Sequence, residues 1–181
     1  PDSHELHSDI ARSPELKRRV ELVRQKRLES AREATRMLAA KPYAFGEIRQ
    51  PTHDYLGIPQ TFSEHRPFAT AARQPAAMIA SVKLFTAEDR DGFLFSLISS
   101  SMFLTWQLTV GGKLESRPSF SSSVVWNTFP LPRLTSSDRD AIVKAGKAVE
   151  DVRLRYPGSN LGELYRAGSV PDDLMDAHRV L

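Results

Sequence analysis

Asp89-Arg90-Asp91-Gly92-Phe93-Leu94-Phe95-Ser96-Leu97-Ile98-Ser99-Ser100-Ser101-Met102-Phe103-Leu104-Thr105-Trp106-Gln107-Leu108-Thr109 reads as one helix, and the fold has to be built around it. Phe93, Leu94, Leu97, Ile98, Met102, Leu104 and Leu108 spread over most of its circumference, and a helix that is apolar nearly all round is a buried one. Asp89 opens the segment and Gly111-Gly112 stops it. Immediately upstream, residues 76–86 give the best strand candidate. There Met78, Ala80, Val82 and Leu84 alternate with Ile79, Ser81, Lys83 and Phe85. Further upstream, Pro42, Gly46, Pro51, Gly57, Pro59 and Pro67 cut the chain into short pieces, with brief strands predicted at 43–48 and 55–58. Downstream lie a polar loop, Lys113 to Ser123, a short strand at 124–126, and the closing Phe129-Pro130-Leu131-Pro132.

The flanks are helical. Ser13-Pro14-Glu15 is a helix start, with a cap residue, a first-turn proline and an acid at the positive helix end. A helix is predicted from there to about Ala40, after a loose lead-in over 1–12. Beyond Pro132, helices are predicted from Ser137 to about Arg155, over 161–165, and from Pro171 to His178. The fold class expected is α+β: a long N-terminal helix, a small, mostly antiparallel sheet packed on the buried helix, and a C-terminal helical appendage. The expected division is 1–40 as lead-in and connector helix, 41–132 as the central domain and 133–181 as the helical segment.

Bulk properties exclude several classes. Of the 181 residues 40% are hydrophobic and 26% charged, ordinary values for a globular chain, and no apolar run approaches a membrane span. Cysteine is absent, so disulfides and thiolate metal sites are too; a reducing cytoplasm is the compartment expected. The chain opens on Pro1 and stops at Leu181 inside a helical pattern, as expected of a piece of a longer protein. Net charge is +3, but residues 12–49 hold 11 Lys and Arg against 5 Asp and Glu; residues 50–181 are balanced, and the first 11 residues carry three acids and no Lys or Arg. Such a segment either neutralises phosphates or is a solvated helix face. No glycine-rich phosphate loop follows a strand, no His or carboxylate cluster has metal-ligand spacing, and no serine sits in a nucleophile elbow. No catalytic residue, metal or cofactor is expected in this chain.

Several blocks occur in a fixed order: Phe45-Gly46-Glu47-Ile48-Arg49-Gln50-Pro51, Tyr55-Leu56-Gly57-Ile58-Pro59, Phe62-Ser63-Glu64-His65-Arg66-Pro67, Ser99-Ser100-Ser101-Met102 with Trp106, Val110-Gly111-Gly112-Lys113-Leu114-Glu115-Ser116-Arg117, Ser119-Phe120-Ser121, Val125-Trp126-Asn127-Thr128-Phe129-Pro130-Leu131-Pro132, and Leu161-Gly162-Glu163-Leu164-Tyr165 before Pro171 and Ala177-His178. Together they resemble the target-recognition domain and C-terminal segment of the MmeI-like (type IIL) DNA adenine methyltransferases and restriction–modification enzymes, over about residues 15–181. Trp126 stands where the family often has Tyr, Thr128 where it has a second Asn, and Pro118-Ser119-Phe120-Ser121 departs from a common Arg-Tyr-Ser ending. The resemblance implies double-stranded DNA as partner. It also implies a parent chain carrying an S-adenosylmethionine-dependent methyltransferase domain, in some members with a nuclease. The Asn-Pro-Pro-Tyr signature of that methyltransferase does not occur in this sequence. The alternative is a domain that braces the methyltransferase without reading bases.

In an extended backbone Glu115 and Arg117 point the same way. Arg donates two bonds to guanine and Glu accepts from the cytosine amino group, so the two suit one C·G pair. Their other reading is a surface salt bridge. Ser116, Ser119, Ser81 and Lys83 are the further base-reading candidates, against plain loop or exposed sheet positions. Arg66, Arg49, Lys41, Lys113 and Arg24 are candidates for phosphate contacts, with a turn-fixing pair to Glu64 as the other role for Arg66. Trp106 and Trp126 are read as core anchors, with base-stacking platforms as the alternative, and Tyr165 and His178 as packing and hydrogen-bonding residues.

Overall fold

A computed structural model describes residues 3–47 and 50–181, with 3–7 described by backbone alone. The chain divides into two compact units, Pro1–Arg49 and Gln50–Leu181.

The first unit holds α1 (Ser3–Arg12), α2 (Pro14–Leu28), α3 (Glu33–Met37) and a 3-10 turn, Leu38–Ala40. The predicted helix start is present: Ser13 Oγ accepts from the Leu16 amide at 3.3 Å, with Pro14 in the first turn. Two expectations fail here. The loose lead-in is helix α1, and the long helix to Ala40 ends at Leu28. Leu16, Leu22, Val23 and Leu28 are all exposed, so no packed stripe holds a longer helix straight. Arginines stabilise the break instead. Arg27 donates to the carbonyls of Leu38 (2.8 Å), Lys41 (2.8 Å) and Ala44 (2.7 Å), folding that segment back along α2. Arg36 donates to the freed carbonyls of Ser30 and Ala31 at 2.9 and 3.0 Å. The strand predicted at 43–48 is turn and bend over its described part; Ile48 lies outside the described residues.

In the second unit, β1 (Tyr55–Pro59) is the central strand of an antiparallel sheet of order β2-β1-β3, with β2 Ala72–Gln74 and β3 Leu84–Ala87. Leu56, Ile58, Phe62, Phe68 and Ala71 enter the core. The strand predicted over 76–86 survives only from Leu84. Residues 76–83 are loop and turn, because the Gln50 side chain takes up the backbone groups of Ala76, Met78 and Ala80, and Met78, Ile79 and Val82 are left exposed. β2, which was not expected from the sequence, pairs with the edge of β1 opposite β3.

The decisive segment is two helices, α4 (Phe93–Ser99) and α5 (Ser101–Val110), bent by 61°. α4 is buried as expected, whereas α5 buries Phe103, Leu104 and Gln107 on one face and leaves Met102 and Leu108 exposed on the other. Ser100 makes the bend. It is extended (φ −75°, ψ 152°), its amide donates to Leu97, and its Oγ caps the Phe103 amide at 3.1 Å. Asp89 caps α4 from outside, accepting from the amides of Leu94 and Phe95 at 3.1 Å each, and Arg73 on β2 anchors it. Gly92, at φ +87°, supplies the turn between them, a backbone state costly for other residues.

α6 (Ser136–Arg153) opens on a capping box from Thr135 and Asp138, and packs Gly146 onto Ser96 of α4. α7 (Leu161–Leu164) and α8 (Asp172–Val180) follow as predicted. Tyr165 and His178 are buried against Phe68, which stacks on the imidazole at 3.8 Å between centroids. Arg153 donates to Tyr165 Oη and to the Ala71 carbonyl, both at 2.7 Å, and Tyr165 Oη lies 2.7 Å from His178 Nε2. These contacts join the C-terminal helices to the sheet in one core. The expected packing roles of Tyr165 and His178 match this geometry.

Candidate nucleic-acid interface

The loop after α5 is a hairpin, not an extended run. β4 (Lys113–Leu114) pairs with β5 (Arg117–Pro118), leaving Glu115-Ser116 as a two-residue turn. Glu115 sits at φ +59°, a left-handed conformation that two-residue hairpins demand and that glycine or asparagine usually fills. The shared direction of Glu115 and Arg117 therefore comes from the turn. Arg117 Nη2 lies 2.7 Å from Glu115 Oε2, with the two side chains 44% and 77% exposed. The salt bridge is formed in the free chain. An exposed pair of this kind contributes about 0–1 kcal/mol, so its groups are easily redirected to a ligand.

Main-chain bonds fix where this tip sits. Phe62 N donates to the Pro118 carbonyl, Ser119 N to Gly112, and Phe120 N to Gln60 at 2.8 Å. Gln60 N donates to the Lys83 carbonyl at 2.8 Å, where β3 begins opposite the end of β1. Buried Phe120 and Pro118 anchor the hairpin below. Ser81 holds the turn into β3, its Oγ accepting from Lys83 N at 3.2 Å. Ser81, Lys83, Lys113, Glu115, Ser116, Arg117 and half-buried Ser119 are thus gathered at the end of the sheet where β1 leaves and β3 enters. All but Ser119 are exposed.

Glu64 joins them. Its carboxylate accepts a short hydrogen bond from Ser116 Oγ. That bond, helped by its own backbone amide and opposed by slight burial, holds the carboxyl below its ordinary value. His65 Nε2 lies 3.9 Å from the same carboxylate. The sequence points to Glu64 only as a partner for Arg66, and no periodicity links positions 64 and 116. Arg66 does not pair with Glu64. It is half-buried and donates to Thr70 Oγ1 at 3.0 Å, with its other Nη close to Gly162. Arg24, ion-paired with Glu21 at 3.2 Å, and exposed Lys41 belong to the first unit, and Arg49 lies outside the described residues.

Both tryptophans are half-buried against the core. Trp106 Nε1 donates to the Val125 carbonyl at 3.0 Å, and the Trp126 ring lies 5.9 Å from Phe103. The strand predicted at 124–126 is a π-helical turn, Ser122–Trp126, with Ser121 Oγ capping the Val124 amide. Among the described residues, no group of three or more His, Asp or Glu could hold a metal ion.

The MmeI target recognition domain model matches residues 3–133, and the MmeI C-terminal domain model matches 134–181. DNA methyltransferase A of Bacillus subtilis (strain 168) is 27% identical over 175 residues, which make up 97% of this chain and 20% of that protein. The solved structure of the type IIL restriction-modification enzyme MmeI in complex with DNA matches with a TM-score of 0.87 at 36% identity, covering 96% of this chain and 23% of that one. The chain thus spans about a fifth of the length of either relative. By two consecutive matches that together run from residue 3 to residue 181, it belongs to the MmeI family, as a target recognition domain followed by the family's C-terminal domain.

Proposed function

We propose that this chain reads the target sequence in duplex DNA for a site-specific adenine methyltransferase or restriction–modification protein of the cytoplasm. The methyl-transfer machinery, with S-adenosylmethionine as donor, lies in other parts of the same polypeptide; no residue of this chain is assigned to that cofactor. The observation that carries the proposal is the convergence of exposed Glu115, Ser116, Arg117, Lys83 and Ser81 at one sheet end, in a member of a target-recognition family. The preformed Glu115–Arg117 pair meets a C·G pair with two donors for guanine and one acceptor for the cytosine amino group. Lys113 and Lys83 flank it with positive charge for the backbone, which sets position rather than sequence. Methylome sequencing of cells expressing the full-length parent tests the idea. Arg117→Ala and Glu115→Ala should each relax one base pair of the methylated motif, by about 1–3 kcal/mol of discrimination. An unchanged motif in both variants refutes base reading by this turn.

Bracing of the methyltransferase part is favoured by one feature, the outer face of α5. Met102 and Leu108 are exposed there, and Ser101, Thr105 and Trp106 line a shallow groove with Phe129 and Pro130. Met102→Glu in the parent should lower methylation at every site without altering the motif.

A further inference from the structure

The loop between β2 and β3 combines two properties that rarely go together: its backbone is tied down, and its large side chains are left in water. Gln50 does most of the tying. Its Nε2 donates to the carbonyls of Ala76 (3.0 Å) and Met78 (2.7 Å), and its Oε1 accepts from the Ala80 amide (3.0 Å). Tyr55 Oη donates to the Met78 carbonyl at 3.0 Å, and Asp54 accepts from the Ala76 amide at 2.9 Å. One side-chain amide thus does for this loop what a neighbouring strand does in a sheet. On it Met78 is 51% exposed, Ile79 69% and Val82 92%. Single exposed apolar residues need no explanation, but three within five positions on a tethered loop form a surface prepared for burial.

Continuity and charge identify what buries it. The loop runs directly into Ser81 and Lys83, and the Lys83 carbonyl begins the chain of main-chain bonds through Gln60 to the hairpin. From Pro75 to Lys83 it carries no acid and one Lys, so it meets a polyanion without repulsion. The apolar feature of a duplex edge is the thymine 5-methyl group in the major groove, the groove in which the hairpin's acceptor and donor distinguish base pairs.

We infer that residues 76–80 form a second, apolar reading element that packs Met78 and Ile79 against thymine methyl groups of the target duplex, an inference that rests on the DNA-reading role proposed above. Gln50 is its positioning residue. The test uses the full-length parent and its methylated motif, with each thymine replaced in turn by deoxyuracil, which lacks only the methyl group. At one or more positions the replacement should weaken wild-type binding about fourfold, the worth of one buried methyl-sized group. In a Met78→Ser/Ile79→Ser variant, whose changed side chains are solvent-exposed, the same replacement should change nothing further. Wild-type binding indifferent to every replacement overturns the inference. So does a double variant that weakens thymine and uracil duplexes alike, the result expected if a protein surface covers the loop. Arg117→Ala in parallel separates the two ideas: a lost guanine preference alongside indifference to uracil leaves the hairpin reading intact and removes this one alone.

Discussion

Acid should destabilise the second unit through one buried imidazole, in a pH window of its own. His178 is 1% exposed, stacked under Phe68 and within 2.7 Å of Tyr165 Oη. Arg153 Nε donates to that same oxygen, so a cation also stands beside the imidazole. Burial chiefly, and then the Arg153 charge, pushes the imidazole down to about 3, with the Ser99 backbone pulling weakly the other way. In the unfolded chain the group titrates near 6.5. Below that pH the unfolded state holds one more proton than the folded state, so stability falls as pH drops towards about 3 and is flat above about 6.5. The slope is about 1.4 kcal/mol per pH unit, or roughly 2–3 kcal/mol between pH 6.5 and 4.5. Asp91, lowered mainly by Arg139, and Asp138, lowered mainly by the Thr135 backbone, contribute stability above their ordinary values that is lost only as pH falls below about 4.

Urea unfolding followed by tryptophan fluorescence reads this unit alone, because Trp106 and Trp126 both belong to it. Measured in steps from pH 7.5 to 4.5, the wild-type chain should lose stability below 6.5. His178→Gln should be weaker at pH 7.5, from lost stacking, but nearly flat through the window. His53 and His65 are common to both proteins, so the difference between the two curves isolates His178. A flat wild-type curve, or a slope that survives in His178→Gln, refutes the assignment.

Three further outcomes follow from particular contacts. A Cβ on Gly146 would stand 1.9 Å from Ser96 Oγ and 2.7 Å from its Cβ, so Gly146→Ala should cost at least about 1–3 kcal/mol in the same urea assay, and Ser96→Gly should return part of it. Arg27→Lys replaces a fork that reaches three carbonyls with a single ammonium; amide exchange over residues 38–44 should quicken, and unchanged protection would show that the fork does not hold the turn. Glu115→Gly removes a side chain from a left-handed residue, so thermal stability should stay level or rise by up to about 1 kcal/mol, while discrimination at one base pair is lost. A clear loss of stability would mean that the Glu115–Arg117 pair carries the turn.

Legibility in the sequence followed the length scale of the forces. Elements set by local chemistry were readable: the Ser13-Pro14 start, the beginning of α6 to within a residue at Ser137, β1, and the burial of α4. Elements decided by distant partners were not. Residues 76–83 alternate like a strand, but Gln50, far back in the chain, captures their backbone and turns the apolar side chains out. The 89–109 pattern shows no break at Ser100, since serine suits either a helix interior or a cap, and only packing makes it a cap. At the hairpin the residue types were visible but the geometry was not. Glu115 is an improbable left-handed residue, and Glu64 lies 52 positions from the Ser116 it binds.

The way the hairpin is held bears on what the domain can do. Its position depends on main-chain bonds from Phe62, Ser119, Phe120 and Gln60 and on buried Pro118 and Phe120, none of which involves a tip side chain. The tip side chains are exposed and bond mainly to one another. Substitutions at such positions usually alter stability by less than about 0.5 kcal/mol. The groups that hold the hairpin, main chain and buried rings, are therefore distinct from the tip side chains proposed to read bases. One position departs from this rule: Glu115 occupies a backbone state in which a side chain costs about 1–2 kcal/mol. A turn selected for stability alone would hold glycine there. A carboxylate kept at that cost, aimed at an arginine two residues on, is accounted for when the acid is needed for a contact outside the chain, as reading a cytosine amino group requires.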